Sequence, residues 1–256
     1  MRDRVEILGV QIDNVDMDQA ITWIYNFIRR DGYHQVVTVN AEFIVEAQKN
    51  LLFKKIINQA SLAIPDGIGP VWASRFYGKK LKERVSGVDL VWMLARLAEE
   101  ENYTIYLLGG GPGVARSAAR KLRVVRPKIR IAGFSMGVKP HEHRPKDCPI
   151  CHISEAKIVE GISKIKPDIL LVAYGAPQQD EFIAKYKDKL KAKVAIGVGG
   201  TLDYMAGLKK RAPLWMQKAG LEWFYRLLRE PLRLPRTLRA TILFSWLVLI
   251  SKFGRK

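Results

Sequence analysis

Cysteine is nearly absent: two residues in 256 cannot build a disulfide framework. Apolar runs long enough to cross a membrane are missing as well. The longest, 240–250, has eleven residues, whereas a bilayer takes about 20. The first twenty residues, MRDRVEILGVQIDNVDMDQA, carry acids where a signal peptide needs an apolar core, which predicts a cytoplasmic protein. There is no internal repeat and no low-complexity linker. Acidic residues are scarce in one place above all. From Leu208 to Lys256 there are twelve Lys/Arg against two Glu, a net +10 of the +18 carried by the whole chain.

What the chain does contain is a soluble-enzyme composition, 48% hydrophobic and 27% charged, enough for a core and too ordered for a disordered chain. The basic tail is interleaved with Trp, Phe, Tyr and Leu. This pattern suits an anionic membrane surface, where basic side chains meet head groups and apolar ones sink beside acyl chains. A packed C-terminal helix with a solvated basic face is the plainer reading. Nucleic acid is the third: the sequence pI near 9.9 fits a phosphate binder, but no nucleic-acid motif is present and the aromatics sit among aliphatics that must stay dry. The expectation is a segment that lies on the membrane. Its removal from about Leu208 onward should leave a folded core.

Residues 1–207 alternate strand-length apolar runs with helical spacings. Strands are predicted at 35–39, 61–64, 104–108, 129–132, 168–173 and 193–198, and helices at 41–60, 90–101, 113–125 and 154–164. This pattern implies a Rossmann-like, mostly parallel α/β sheet with helices on both faces, here with a basic amphipathic helical appendage at 208–256. Ligands in such sheets bind beyond the carboxyl ends of the strands, and these strands end in polar or glycine-rich turns.

One turn, Gly109-Gly110-Gly111-Pro112-Gly113, runs from strand to helix, where glycines let a backbone approach a diphosphate and a helix start offers N–H groups. The acid that a dinucleotide fingerprint needs about 20 residues later is missing. That leaves a nucleotide diphosphate, or a turn that serves strand–helix packing alone. Asp66, in Pro65-Asp66-Gly67, is a turn residue on its own evidence. If its strand neighbours the one ending in Thr38-Val39-Asn40, all three polar groups face one crevice and Asp66 becomes a candidate general base. Asp16-Met17-Asp18 matches a metal-binding Asp-x-Asp pattern, but Gln19 follows Asp16 at capping-box spacing, so the helix-start reading is preferred. No metal is then expected, and arginines would neutralise a leaving diphosphate. His141, His143, Cys148, Cys151 and His152 gather in one stretch. They are read as a polar loop, a structural zinc knuckle or a redox pair.

Taken in order, these segments resemble the WecG/TagA/CpsF family of bacterial glycosyltransferases. The markers are TVNAEF (38–43), IPDGIG (64–69), ERVSGVDL (83–90), IYLLGGGPGV (105–114), GAPQQD (175–180), GVGGTLDYMAG (197–207), KRAP (210–213) and GLEWFYRLLREPLRLPR (220–236). Asp180 stands where the family usually has Glu, Pro235 is an extra proline, and the Cys/His stretch is not a family feature. The resemblance implies an inverting, metal-independent transfer of an N-acetylmannosamine-type sugar from its UDP donor to a polyprenyl-diphosphate-linked N-acetylglucosamine. The transfer would occur on the cytoplasmic face of the membrane, in envelope polysaccharide synthesis. Other UDP-sugar donors, N-acetylmannosaminuronic acid or glucose, stay open, as does a homo-oligomer. From a different class, a non-catalytic basic module for nucleic acid or anionic lipid is the rival. Carried onto matching positions, the resemblance makes Asp66 the base and places Thr38, Asn40 and Arg84 at the reaction centre. Gln179 lies nearby, Gly109, Gly110, Gly111 and Asp203 bind substrate, and Arg226, Arg233 and Arg236 face the diphosphate. The spacings of seven and three between these arginines are close to two turns and one turn of helix, so one face could carry all three, although Pro231 and Pro235 must break or kink that helix.

Overall fold

The structure, a computed structural model, describes residues 2–136, 154–229 and 234–253, without the side chains of 234–237, 239 and 253. The Cys/His stretch and Arg233 therefore lie outside the described residues. The chain divides into two compact units, one of residues 1–20, 37–87 and 210–256, the other of residues 21–36 and 88–209.

The chain opens with a hairpin that the apolar runs did not announce. Strands β1 (Arg4–Ile7) and β2 (Val10–Asp13) pair antiparallel around Leu8 and Gly9, both at positive φ. A two-residue turn of that hand matches the twist of a hairpin. Helix α1 (Met17–Arg29) follows, then β3 (His34–Val39), α2 (Ala41–Lys49), α3 (Leu51–Gln59) and β4 (Leu62–Pro65). The predicted helix over 41–60 is thus two helices. Asn50 separates them, donating its N–H to Glu46 and accepting from Phe53 N at 2.9 Å through its side chain, so it ends one helix and caps the next. After β4 come α4 (Ile68–Ser74), a 3-10 turn (Arg75–Tyr77) and α5 (Gly87–Glu100).

Continuing along the chain, β5 (Thr104–Gly109), α6 (Val114–Val125) and β6 (Arg130–Ser135) precede α7 (Glu155–Ile165), β7 (Ile169–Ala173), α8 (Gln178–Lys185), α9 (Lys187–Leu190) and β8 (Val194–Gly197). Four short or long helices close the described chain: α10 (Thr201–Met205), α11 (Leu214–Lys218), α12 (Glu222–Arg229) and α13 (Leu234–Phe253). The six predicted strands form one sheet in the order β4-β3-β8-β7-β5-β6. The pairs β3–β8, β8–β7, β7–β5 and β5–β6 are all parallel. Every residue of β4, β7 and β8 is buried, as strands covered on both faces require. The α/β reading of the sequence holds.

In the second unit, α6 packs on β5 and β6, α7 on β6, and α8 on β7 and β8. Leu108, Ile162, Leu170, Val172 and Phe182 share the resulting core. In the first unit, Asp13 joins the hairpin to β4. Its buried carboxylate accepts from Ala63 N at 2.8 Å and pairs with Arg4 Nε at 2.8 Å. There too, α13 packs along α2 and buries Ala240, Phe244 and Val248, a four-residue spacing that keeps them on one helix face. Its other side leaves Ile242 (66%), Trp246 (56%) and Ile250 (47%) exposed. The tail is therefore a packed helix whose outward face at 240–250 is apolar rather than basic. Among the described residues, no helix is long and apolar enough to cross a membrane.

Candidate active site

In the first unit, Asp66 N donates to Val39 O at 2.8 Å and ties the end of β4 to the end of β3. The condition under which Thr38, Asn40 and Asp66 share a crevice is met. Thr38 is buried. Asn40 caps α2, its Oδ1 accepting from Phe43 N at 3.1 Å, so as a ligand contact it would act through its Nδ2 donors. Val85 N donates to Pro65 O at 2.8 Å, which lays the 83–87 loop beside β4. From that loop Gly87 N reaches Asp66 Oδ1 at 3.3 Å.

Asp66 is partly buried, and the loss of solvent around its carboxyl pushes its pKa above the usual carboxylate range. Arg226, the Gly87 N–H and Arg84 pull it back down, while Glu222 pushes it further up. A partly desolvated carboxyl with raised proton affinity, in the field of nearby cations, is the environment in which enzymes keep general bases. Arg84 Nη1 donates to Glu222 Oε2 at 3.0 Å. Glu222 Oε1 lies 3.5 Å from both Arg211 Nε and Arg226 Nη2. Glu222 and Arg211 were missed as site residues. The sequence offers only that Glu222 is one of two acids in the basic tail and that both residues sit inside quoted motifs; their partners come from the fold. Arg226 ends up in α12 and Arg236 in α13, so the two do not share a helix; Pro235 stands in the first turn of α13, where its missing N–H is tolerated.

The second unit holds the remaining candidates at the carboxyl ends of β5, β7 and β8. Gly109 adopts φ +104°, and a Cβ there would lie 2.7 Å from Ala173 O; one at Gly110 would lie 2.7 Å from the Val114 side chain. Both are demanded by packing. Gly111 has more room, its Cβ position 3.6 Å from Val114, and the start of α6 carries no side-chain cap. Of the turn's own N–H groups, Val114 N donates to Gly111 O at 3.1 Å and Gly110 N to Ala173 O at 3.0 Å. Gln179 is buried, and its Oε1 accepts from Gly199 N at 2.8 Å. Asp203, half-buried on α10, stands beside Gly200, and α10 packs on α6, the helix that the glycine turn opens.

Asp180, the neighbour of Gln179, is fully buried. Burial pushes its pKa up to about 7, with the Gln179 side chain pulling it partway back. Above an unfolded value of 3.8, the native state holds a proton that the unfolded chain has lost. Stability therefore falls as pH rises from about 4 to about 7 and levels off beyond. At about 1.4 kcal/mol per pH unit, the loss is on the order of 4 kcal/mol. Asp180→Asn should flatten this slope and raise Tm at pH 8, measured by calorimetry across pH 4–8. An Asn variant that keeps the native slope would assign the pH dependence elsewhere.

Asp16 behaves as a helix start: its Oδ1 accepts from Gln19 N at 2.8 Å while Gln19 Oε1 accepts from Asp16 N at 3.3 Å. This is a reciprocal capping box. Among the described residues no group of three or more His, Cys, Asp or Glu is placed to hold a metal ion.

The sequence pattern described as the glycosyl transferase WecG/TagA/CpsF family matches residues 5–256. The chain is 32% identical over 251 residues to a Staphylococcus aureus (strain MRSA252) protein named N-acetylglucosaminyldiphosphoundecaprenol N-acetyl-beta-D-mannosaminyltransferase, covering 97% of this chain and 93% of that one. Proteins of the same name from strains MW2 and NCTC 8325 / PS 47 match with the same identity and coverage.

Proposed function

The chain belongs to the WecG/TagA/CpsF glycosyltransferase family, and from that premise we propose that it transfers N-acetylmannosamine from UDP-N-acetylmannosamine to a polyprenyl-diphosphate-linked N-acetylglucosamine. The observation that carries the reading is a partly buried Asp66 at the end of β4, held by Gly87 N at 3.3 Å and in the electrostatic reach of Arg226 and Arg84. Asp66 would take the proton from the acceptor hydroxyl as it attacks the anomeric carbon from the face opposite UDP, inverting that centre. The C1–O bond to UDP breaks and its electron pair leaves on the diphosphate. Arginines, rather than a metal ion, would neutralise that charge. Thr38 and Asn40 would orient the acceptor, while Gly109, Gly110, Gly111, Gln179 and Asp203 would hold the nucleotide donor. Arg233 and Arg236 would join Arg226 on the acceptor diphosphate. The relatives' printed name, with its diphosphoundecaprenol acceptor, supports a lipid-linked substrate. The exposed apolar side of α13 supports peripheral docking on the inner face of the cell membrane.

The test is UDP release from a panel of UDP-sugars with a short-chain lipid-diphosphate acceptor, with and without EDTA. Release from UDP-N-acetylmannosamine, strictly dependent on acceptor and undiminished by chelator, is expected. Release only from another UDP-sugar corrects the donor. Loss of activity in EDTA, restored by Mg²⁺ or Mn²⁺, overturns the metal-independent mechanism, and no acceptor-dependent release from any donor overturns the function.

A further inference from the structure

Glu222 is the acid least expected where it stands. It is 6% exposed in a segment where twelve Lys/Arg face only one other acid, Glu230, and it opens α12. A first-turn acid complements the helix dipole, but that role needs neither burial nor partners. Glu222 has both. Its Oε2 accepts from Arg84 at 3.0 Å, and its Oε1 faces Arg211 and Arg226 at 3.5 Å each. The three guanidinium groups come from three segments of the first unit: the loop before α5, the stretch before α11, and α12 itself. Arg211 Nη2 also donates to Ser86 Oγ at 3.4 Å, on the loop that carries Arg84.

Three guanidinium groups drawn together repel one another unless an anion lies between them, and a buried carboxylate survives only with such partners. Three guanidinium groups converge on this one carboxylate, and two of them, on Arg226 and Arg84, also lie in the electrostatic reach of Asp66. A guanidinium presents its N–H donors in a rigid planar fork, a geometry that matches the paired oxygens of a diphosphate. We propose that Glu222 is a positioning residue: it holds Arg84, Arg211 and Arg226 as a preassembled seat for a diphosphate beside Asp66. The inference rests on the transfer reaction proposed above and adds the residue that keeps its cations in place before substrate arrives, which is what electrostatic preorganisation requires.

Glu222→Gln tests this, since the amide keeps the shape and removes the charge. Calorimetric titration with inorganic pyrophosphate should show affinity weakened by about tenfold or more, and kcat should fall by a similar factor. The pH profile of kcat/KM separates positioning from mere folding. Arg226 and Arg84 lower the proton affinity of Asp66, and Glu222 raises it by a smaller effect. If the arginines splay once Glu222 is neutral, the acid limb moves to higher pH, the expected result. If they stay in place, only the upward push of Glu222 is lost and the limb moves to lower pH. That result, or an unmoved limb, overturns the proposal. Should Glu222→Gln fail to fold, Arg211→Gln decides: it should weaken pyrophosphate by about threefold or more, and native affinity would break the three-arginine seat. Pyrophosphate binding needs neither donor nor acceptor. A protein that binds it in a Glu222-dependent way yet transfers from no UDP-sugar refutes the proposed function alone. Transfer that survives Glu222→Gln refutes the positioning role alone.

Discussion

Asp66→Asn should fold, bind the UDP-sugar, and turn over about 10²–10⁴ times more slowly than the native enzyme, the range for losing a general base. The amide is isosteric and its oxygen can still accept from Gly87 N, now at 3.3 Å from the carboxylate. Stability should not suffer. Burial raises the proton affinity of Asp66, so its ionised form opposes folding: the stability it contributes is complete below its unfolded pKa and is lost as pH rises through the folded one. Asn removes that loss. The same shift sets the activity profile, because a base must be deprotonated to act. Native kcat/KM should decline on the acid side at a pH above the ordinary carboxylate range, and the Asn variant should lack that limb. Calorimetry, donor titration and steady-state kinetics on one preparation measure all three. A kcat like the native one would remove Asp66 from the chemistry.

The sheet was legible because its strands announce themselves twice, as apolar runs and as polar turns after them. β7 and β8 are buried throughout, and a buried parallel strand has no alternation to lose. The β1–β2 hairpin escaped because its strands are four residues long and its turn opens on Leu8, a residue that seldom adopts positive φ. The break at Asn50 was written in the residue itself, an amide able to cap both ways, but the apolar spacing runs through it undisturbed. In the site, Asp66 could be read from its turn and from the company of Thr38 and Asn40, which is local information. Glu222 could not be reached in that way. Its meaning depends on Arg84, 138 positions away, and only folding shows that its charge is spent on three arginines instead of on water or a helix start. The glycine turn illustrates the converse: Gly109 and Gly110 look like a ligand loop, yet the groups their missing Cβ atoms avoid belong to the protein.

The two faces of α13 should give opposite phenotypes, and this replaces truncation as the test of the tail. Deleting the chain from residue 208 would strip Ala240, Phe244 and Val248 from α2, so the first unit should be destabilised and no clean core remain. Point changes separate the two roles. Phe244 is 2% exposed, and Phe244→Ala should lower stability by about 3–5 kcal/mol, through lost burial and the cavity it leaves. Denaturant unfolding reads this directly. On the other face, Ile242→Glu with Trp246→Glu alters side chains already in solvent, where changes in stability stay within about 0.5 kcal/mol. If that face sinks into the lipid interface, the pair forfeits about 1.5–3 kcal/mol of apolar burial for each side chain and adds repulsion from anionic lipid. Flotation with anionic vesicles should then fall by about 10²-fold or more, while pyrophosphate binding stays native. Reversing tail arginines should weaken vesicle binding by about 1 kcal/mol each, and less as salt rises. Turnover of the Ile242→Glu, Trp246→Glu protein should drop on an acceptor embedded in vesicles and hold on a water-soluble short-chain one. Vesicle binding that survives the double change would mean that the apolar face of α13 meets something other than a membrane.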